Sequence, residues 1–183
     1  KVLKSYGKDG TILMSHTSHK VPGVTFSTGS LGHGLPFSVG LALSSKINKK
    51  DKKRIFVVIS DGELNEGSNW EALLFARHHN LTNLTIIIDY NKLQSLDSVS
   101  KTLKLEPLRS KFESFGCKVI HIDGHDHSSI YKSLKTKPNK PLVIVANTIK
   151  GKGISFMENK VIWHYKPPNE EELKKALNQL KEK

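Results

Sequence analysis

Two short stretches, thirty residues apart, carry residue types suited to holding a hard cation. Ser60-Asp61-Gly62-Glu63 directly follows the apolar run Arg54–Ser60 (RIFVVIS), and Asp89-Tyr90-Asn91 ends the next such run, Leu84–Tyr90 (LTIIIDY). Magnesium takes only one or two protein carboxylates and completes its octahedron with phosphate oxygens, water or carbonyls. One carboxylate, Asp61, and one side-chain amide, Asn91, would leave room for two phosphate oxygens. Asp and Asn are also ordinary turn residues, so each position alone favours a turn, and the pairing is what carries the reading.

A third stretch, Ser27-Thr28-Gly29-Ser30-Leu31-Gly32-His33-Gly34-Leu35, places three glycines within six residues before a helical pattern. Glycines let backbone approach a ligand, and a helix start presents unpaired N–H groups to an anion. No Gly-Lys-Ser/Thr follows, and the dinucleotide spacing is absent. Close helix–sheet packing would call for the same glycines. His121, Asp123, His125, Asp126 and His127 offer metal-ligand types at short spacing, but a strand ending near His121 would spread them, so a structural turn is expected. Cys117 has no base nearby and reads as a buried, inert thiol.

Positioning these residues requires an alternating series of elements. Helices are expected over 31–47, 66–80, 105–115 (stopping at Gly116), 127–136 (capped by Asp126) and about 169–182. Strands are expected at Arg54–Ser60, Leu84–Tyr90, Cys117–Ile122 and Pro141–Asn147. Asn169 and Glu172 have capping-box spacing. Strand–helix alternation predicts right-handed βαβ units, an α/β fold with a parallel sheet and helices on both faces, and ligands at the carboxyl ends of the strands.

Taken together, the motifs resemble a known family. Ser-Asp-Gly with Asn91 following is similar to the thiamine-diphosphate signature, which begins Gly-Asp-Gly and ends in Asn. PGVTFSTGSLGHGLPFSVGLAL, SDGELNEGSNWEA, NKLQ, DGHD, TIKGKGISFMENKVIWH and the terminal PNEEEL helix resemble the N-terminal subunit of a split bacterial or archaeal transketolase, from about residue 6 to 182. The resemblance implies residues 1–183 as one thiamine-diphosphate domain of the PP type. It implies Asp61, Asn91 and the Leu93 carbonyl as ligands of Mg²⁺ (or Ca²⁺ or Mn²⁺). Gly29 and Leu31 would pass the thiazolium and diphosphate, and the Gly62–Glu63 backbone would face the diphosphate. Glu66 would sit in a carboxylate relay at the subunit interface, His16 would face substrate, and His164 would lie near the diphosphate and the reacting carbon. Outside that resemblance, His16 and His164 read as surface histidines.

Three departures stand out. Ser60 replaces the first glycine of the signature, Ser15-His16-Thr17-Ser18 replaces the family's Gly-His-Pro, and His33 stands where Gln is usual. The family's upstream segment, with two further histidine motifs, is not found, so the chain is expected to be a fragment, a degraded product or one part of a subunit. The family's activating glutamate belongs to a pyrimidine-binding domain that this length cannot hold. A C-terminal partner subunit, an α₂β₂ assembly and sugar or sugar-phosphate substrates are therefore expected. The reaction implied moves a two-carbon ketol unit from a ketose to an aldose. Alternatives are a deoxyxylulose-phosphate synthase or a 2-oxoacid dehydrogenase E1 component, against which the KGKGISFMEN–WH stretch argues. A product assay separates them, since only a transketolase needs an aldose acceptor and releases no CO₂.

Composition bounds these readings. The chain has 183 residues, with 29 Lys+Arg against 17 Asp+Glu, a formal charge of +12. A basic nucleic-acid or phosphate module is the non-enzyme alternative, marked by salt-sensitive binding without thiamine-dependent stabilisation. The densest basic run, Lys46, Lys49, Lys50, Lys52, Lys53 and Arg54, lacks interleaved aromatic rings for base stacking, so no nucleic-acid partner is expected. One cysteine excludes a disulfide framework and fits a reducing, cytoplasmic setting. No apolar run approaches the roughly 18 residues of a membrane span.

Overall fold

The computed structural model describes residues 2–48 and 52–181. Lys49 and Lys50 of the basic run, and the expected helix end at 182, lie outside the described residues. Four strands form one sheet: β1 (Ile55–Ser60), β2 (Leu84–Tyr90), β3 (Lys118–Asp123) and β4 (Leu142–Asn147). Their spatial order is β1-β2-β4-β3, and every pairing is parallel. Among the described residues six α-helices accompany them: α1 (Gly34–Ile47), α2 (Gly67–His78), α3 (Val99–Thr102), α4 (Leu108–Ser114), α5 (His127–Lys135) and α6 (Glu170–Lys181).

Strand side chains alternate between faces, and the register assigns them. Val57, Ile86, Val143 and Val119 lie level across one face. That face packs Leu35 and Val39 of α1, Leu73 and Ala76 of α2, and Phe112 of α4 into the main core. Trp70 stacks on Phe112 at 5.4 Å. On the opposite face Val58, Ile87, Ile144 and Ile120 lie level. Ile130 and Leu134 of α5 approach Ile87 and Ile144 there, around a small apolar cavity of about 190 Å³. Helices thus occupy both faces, three on one and α5 on the other.

Several local expectations hold in detail. Leu84–Tyr90 is the second strand residue for residue. Asp126 caps α5 by accepting from Ser128 and Ser129 N–H. Asn169 and Glu172 exchange side-chain-to-backbone hydrogen bonds, each at 2.8 Å, as a reciprocal capping box. Gly116 closes α4 with φ +79°. The helix expected over 105–115 instead starts at Leu108, behind the cis Glu106–Pro107 bond. A residue before proline disfavours helical backbone, which keeps Leu105 and Glu106 out of it. The short α3 had no counterpart in the sequence reading.

Candidate functional site

The carboxyl ends of β1 and β2 bring the expected cation ligands together. Ser60 and Asp89 are register partners, so Asp61 and Asn91 leave neighbouring strand ends. Asp61 is 1 % exposed. Its Oδ1 accepts from Gly62 N–H at 2.7 Å and its Oδ2 from Lys92 N–H at 2.6 Å. The second bond ties the carboxylate to the loop that holds Asn91 and Leu93. Asn91 Oδ1 accepts from Leu93 N–H at 3.0 Å, an Asx turn, and Lys92 takes φ +66°. The bridge between Leu93 and Ser98 is made through Val99 N–H to the Lys92 carbonyl and Gln94 N–H to the Asp97 carbonyl. Neither bond uses the Leu93 carbonyl.

Burial pushes the Asp61 carboxyl up to about 6, opposed by the Lys92 and Gly62 N–H groups; the Asp89 carboxylate adds to the rise and Lys150 opposes it. A buried carboxylate without a cation beside it is disfavoured in its charged form; a bound divalent ion removes that penalty. The expected donors are all oxygens: the Asp61 carboxylate, the Asn91 amide and the Leu93 carbonyl. That set fits a magnesium-like ion sharing phosphate oxygens. Among the described residues no group of three or more His, Cys, Asp or Glu side chains could hold a metal.

The glycine stretch folds against this loop. Gly32 takes φ +80°, and an added Cβ would meet Ser68 Oγ at 2.5 Å and Glu66 Cβ at 2.7 Å. Gly32 N–H donates to Glu63 Oε1 at 2.9 Å, and Ser68 Oγ donates to the Gly32 carbonyl at 2.8 Å. Glu63 is therefore turned inward: its carboxylate is buried, and its own N–H donates to Ser60 Oγ at 3.1 Å. It locks the glycine turn to the loop after β1. Asn69, fully buried, donates to the Glu63 carbonyl at 2.6 Å. Gln94 lies over Gly62, where an added Cβ would meet its Cγ at 3.3 Å, and its Oε1 accepts from Asn65 Nδ2 at 3.3 Å. The sequence reading missed Asn69 and the Gln94 side chain.

The remaining expected residues surround these. The His16 ring lies against Gly29, whose added Cβ would meet His16 Cγ at 2.9 Å, and both line a cavity of about 590 Å³ with His33. Leu31 is exposed in the same loop. Glu66, exposed, precedes α2 in extended backbone, and its side chain makes no cap hydrogen bond. His164 Nδ1 lies 3.5 Å from Lys150 Nζ; partial burial and the Lys150 ammonium lower its pKa from the usual imidazole value. No hydrogen bond among the described residues joins His16 or His164 to Asp61. The His121–His127 stretch runs from the end of β3 through a short turn into α5, and His125 Nε2 accepts from Ile149 N–H at 2.8 Å. Burial pushes the Cys117 thiol up to about 11.

A parallel sheet with helices on both faces, and with the Asp61 carboxylate and a glycine turn at its carboxyl edge, belongs to the class of α/β domains that bind ligands at the carboxyl ends of their strands. Residues 2–182 match the family described as transketolase, thiamine diphosphate binding domain, and the chain belongs to that family. It is 46 % identical over 183 residues to a subunit of apulose-4-phosphate transketolase from Actinobacillus succinogenes, a match covering 98 % of this chain and 66 % of that protein. The corresponding protein from Phocaeicola vulgatus is 36 % identical, with 100 % and 66 % covered. The crystal structure of transketolase from Campylobacter jejuni superposes with a TM-score of 0.91 at 31 % identity, covering 98 % of this chain and 30 % of that one. The chain thus spans about two thirds of the length of the Actinobacillus and Phocaeicola proteins. No helix among the described residues is long and apolar enough to cross a membrane.

Proposed function

We propose that this chain is the cofactor-binding part of a split transketolase. Thiamine diphosphate is held through a divalent cation, and a two-carbon ketol unit moves from a ketose or ketose phosphate to an aldose or aldose phosphate. The observation that supports it most is the Asp61 carboxylate, buried and hydrogen-bonded to the same loop that presents Asn91 and the Leu93 carbonyl. These three groups would hold Mg²⁺. Gly29 and Leu31 would leave space for the cofactor's rings, and the turn at Gly62 would lie beside its diphosphate. The bound cofactor supplies the nucleophilic carbon that accepts the ketol unit. His164, whose pKa is lowered by desolvation and the Lys150 ammonium, would present its imidazole as a proton acceptor. His16, whose ring lies against Gly29, would meet a sugar hydroxyl.

The group that activates the cofactor's aminopyrimidine ring is assigned to a partner subunit, within an α₂β₂ assembly. The Actinobacillus and Phocaeicola relatives are each one subunit of their transketolase, which supports an enzyme built from more than one polypeptide. Calorimetry of Asp61→Ala in the assembled enzyme is the test. Magnesium-dependent thiamine diphosphate binding should vanish while the circular dichroism of the fold is kept, and unchanged affinity would remove the cation assignment. Turnover of ketose and aldose phosphates should appear only when the partner is added.

A further inference from the structure

One histidine of the His121–His127 stretch has a partner well beyond its own turn. β3 ends at Asp123 and β4 at Asn147, and these two residues are register partners. The ladder runs one bond further, from Gly124 N–H to the Asn147 carbonyl at 2.8 Å. Bonds in a parallel ladder are evenly spaced, so the next would take Ile149 N–H to a backbone carbonyl on the β3 side. The chain is by then turning into α5, and His125 Nε2 accepts from Ile149 N–H instead, at 2.8 Å. Nε2 can accept only in the neutral ring that carries its proton on Nδ1. The ring is presented by a bond within its own turn, from His125 N–H to Asp123 Oδ1 at 2.8 Å.

This bond fixes the first residues after β4. Thr148 is held on the other side by β2: its N–H donates to the Tyr90 carbonyl at 3.2 Å, and its hydroxyl donates to Asp89 Oδ1. An added Cβ on Gly124 would meet Thr148 Cγ2 at 2.5 Å, so the turn between β3 and α5 lies directly against it. Lys150 comes next in the chain. Its carbonyl accepts from Asn159 N–H at 3.0 Å, and its Nζ stands 3.5 Å from His164 Nδ1. Its ammonium opposes the rise of the Asp61 pKa and helps to lower that of His164. Only Thr148 and Ile149 separate β4 from Lys150, so a shift of either moves the root of that side chain.

We propose that His125 is a positioning residue: its neutral ring takes the place of a strand carbonyl, fixes Ile149, and thereby holds the Lys150 ammonium beside His164 at the carboxyl edge of the sheet. The competing account is that the bond only satisfies the Ile149 N–H and adds stability, which would leave His164 indifferent to the residue at 125. What Lys150 serves at that edge rests on the proposed cofactor site. The test is made without cofactor, so its failure is distinct from failure of that reading.

Nuclear magnetic resonance of the full chain with labelled histidines tests it. At about pH 8, where imidazoles are neutral, the wild-type His125 ring should show Nδ1 protonated and Nε2 bare; this measurement needs no variant. His125→Gln keeps an acceptor that does not titrate, and His125→Phe removes it. Exchange of the Ile149 N–H should be about tenfold faster in His125→Phe than in His125→Gln. The His164 titration midpoint should be lower in His125→Gln than in His125→Phe, since only the former keeps Lys150 in place. Adding Lys150→Met to both variants should make the two midpoints equal. Three results would overturn the proposal: a wild-type His125 ring protonated at Nε2, equal His164 midpoints in the two variants, or a difference that survives Lys150→Met.

Discussion

Replacing Asp61 with Asn should stabilise the cofactor-free protein at high pH while removing its affinity for the metal–cofactor complex. The carboxyl is 1 % exposed, and its pKa rises from 3.8 to about 6, chiefly through burial. A raised carboxyl pKa means that the folded chain binds more protons than the unfolded one between those values. The stabilisation is fully present below pH 3.8 and is lost as pH rises through about 6. The difference of about 2.2 units, at roughly 1.36 kcal/mol each, is about 3 kcal/mol. Asn cannot ionise, so it escapes this loss. It can accept only one of the two N–H bonds that Asp61 receives from Gly62 and Lys92, which costs about 1–3 kcal/mol at any pH. That constant cancels when two pH values are compared. Urea unfolding of both proteins without cofactor, at about pH 3.5 and about pH 8, should show the stability of Asp61→Asn relative to wild type rising by about 3 kcal/mol between them. In melting temperature this is roughly 6–12 °C for a chain of this size. A relative stability that stays constant with pH would show that the backbone N–H groups fully offset the burial of the charge, and the reasoning would fail. Calorimetry in parallel should find no magnesium-dependent cofactor binding to Asp61→Asn.

Gly32→Ala forces a side chain into left-handed backbone against Ser68 and Glu66, and thermal unfolding should show a loss of roughly 1–3 kcal/mol. Asn69→Ala removes the buried donor to the Glu63 carbonyl and should lower stability by about 1–3 kcal/mol, read by urea unfolding; an unchanged midpoint would show that water replaces the amide. Glu66→Gln, at an exposed residue with no cap hydrogen bond, should leave the melting of the free chain unchanged. In the reconstituted enzyme it should cut turnover about tenfold, roughly 1.4 kcal/mol of barrier; a lowered melting temperature with normal kinetics would make Glu66 a helix-dipole residue only.

Much of the fold was legible because its signals are local. The β-branched run Leu84–Tyr90 is apolar throughout most of its length, as a strand buried on both faces must be, and its limits match the sheet residue for residue. The caps at Asp126 and Asn169 depend only on residues two or three positions away. The β1 run has a similar composition but not the same surroundings. Phe56 and Val58 belong to a buried-strand pattern and yet stand exposed, since no local pattern states what polypeptide covers a sheet's second face. The Tyr90 hydroxyl bond to Glu106 and the Arg54 bonds to the Leu134 and Thr136 carbonyls were equally invisible. They join residues brought together only by the packing of separate elements.

Ser60 shows where a motif reading stops and geometry begins. Glycine at this position would allow a closer backbone approach to a ligand, so serine reads from sequence as a loss. The hydroxyl has its own task here, accepting from Glu63 N–H across the turn after β1. That bond helps to turn Glu63 inward, and the Glu63 carboxylate then fixes Gly32 N–H. Serine thus couples the end of β1 to the glycine turn, which lies well before β1 in the chain. Asp61 sits between these two anchors, and its N–H is held by the Asp89 carbonyl of β2. The carboxylate is therefore fixed from β1, β2 and the glycine turn at once. Such preorganisation suits Asp61 to the proposed cation site, in which an amide, a carbonyl and phosphate oxygens would complete the ligand set.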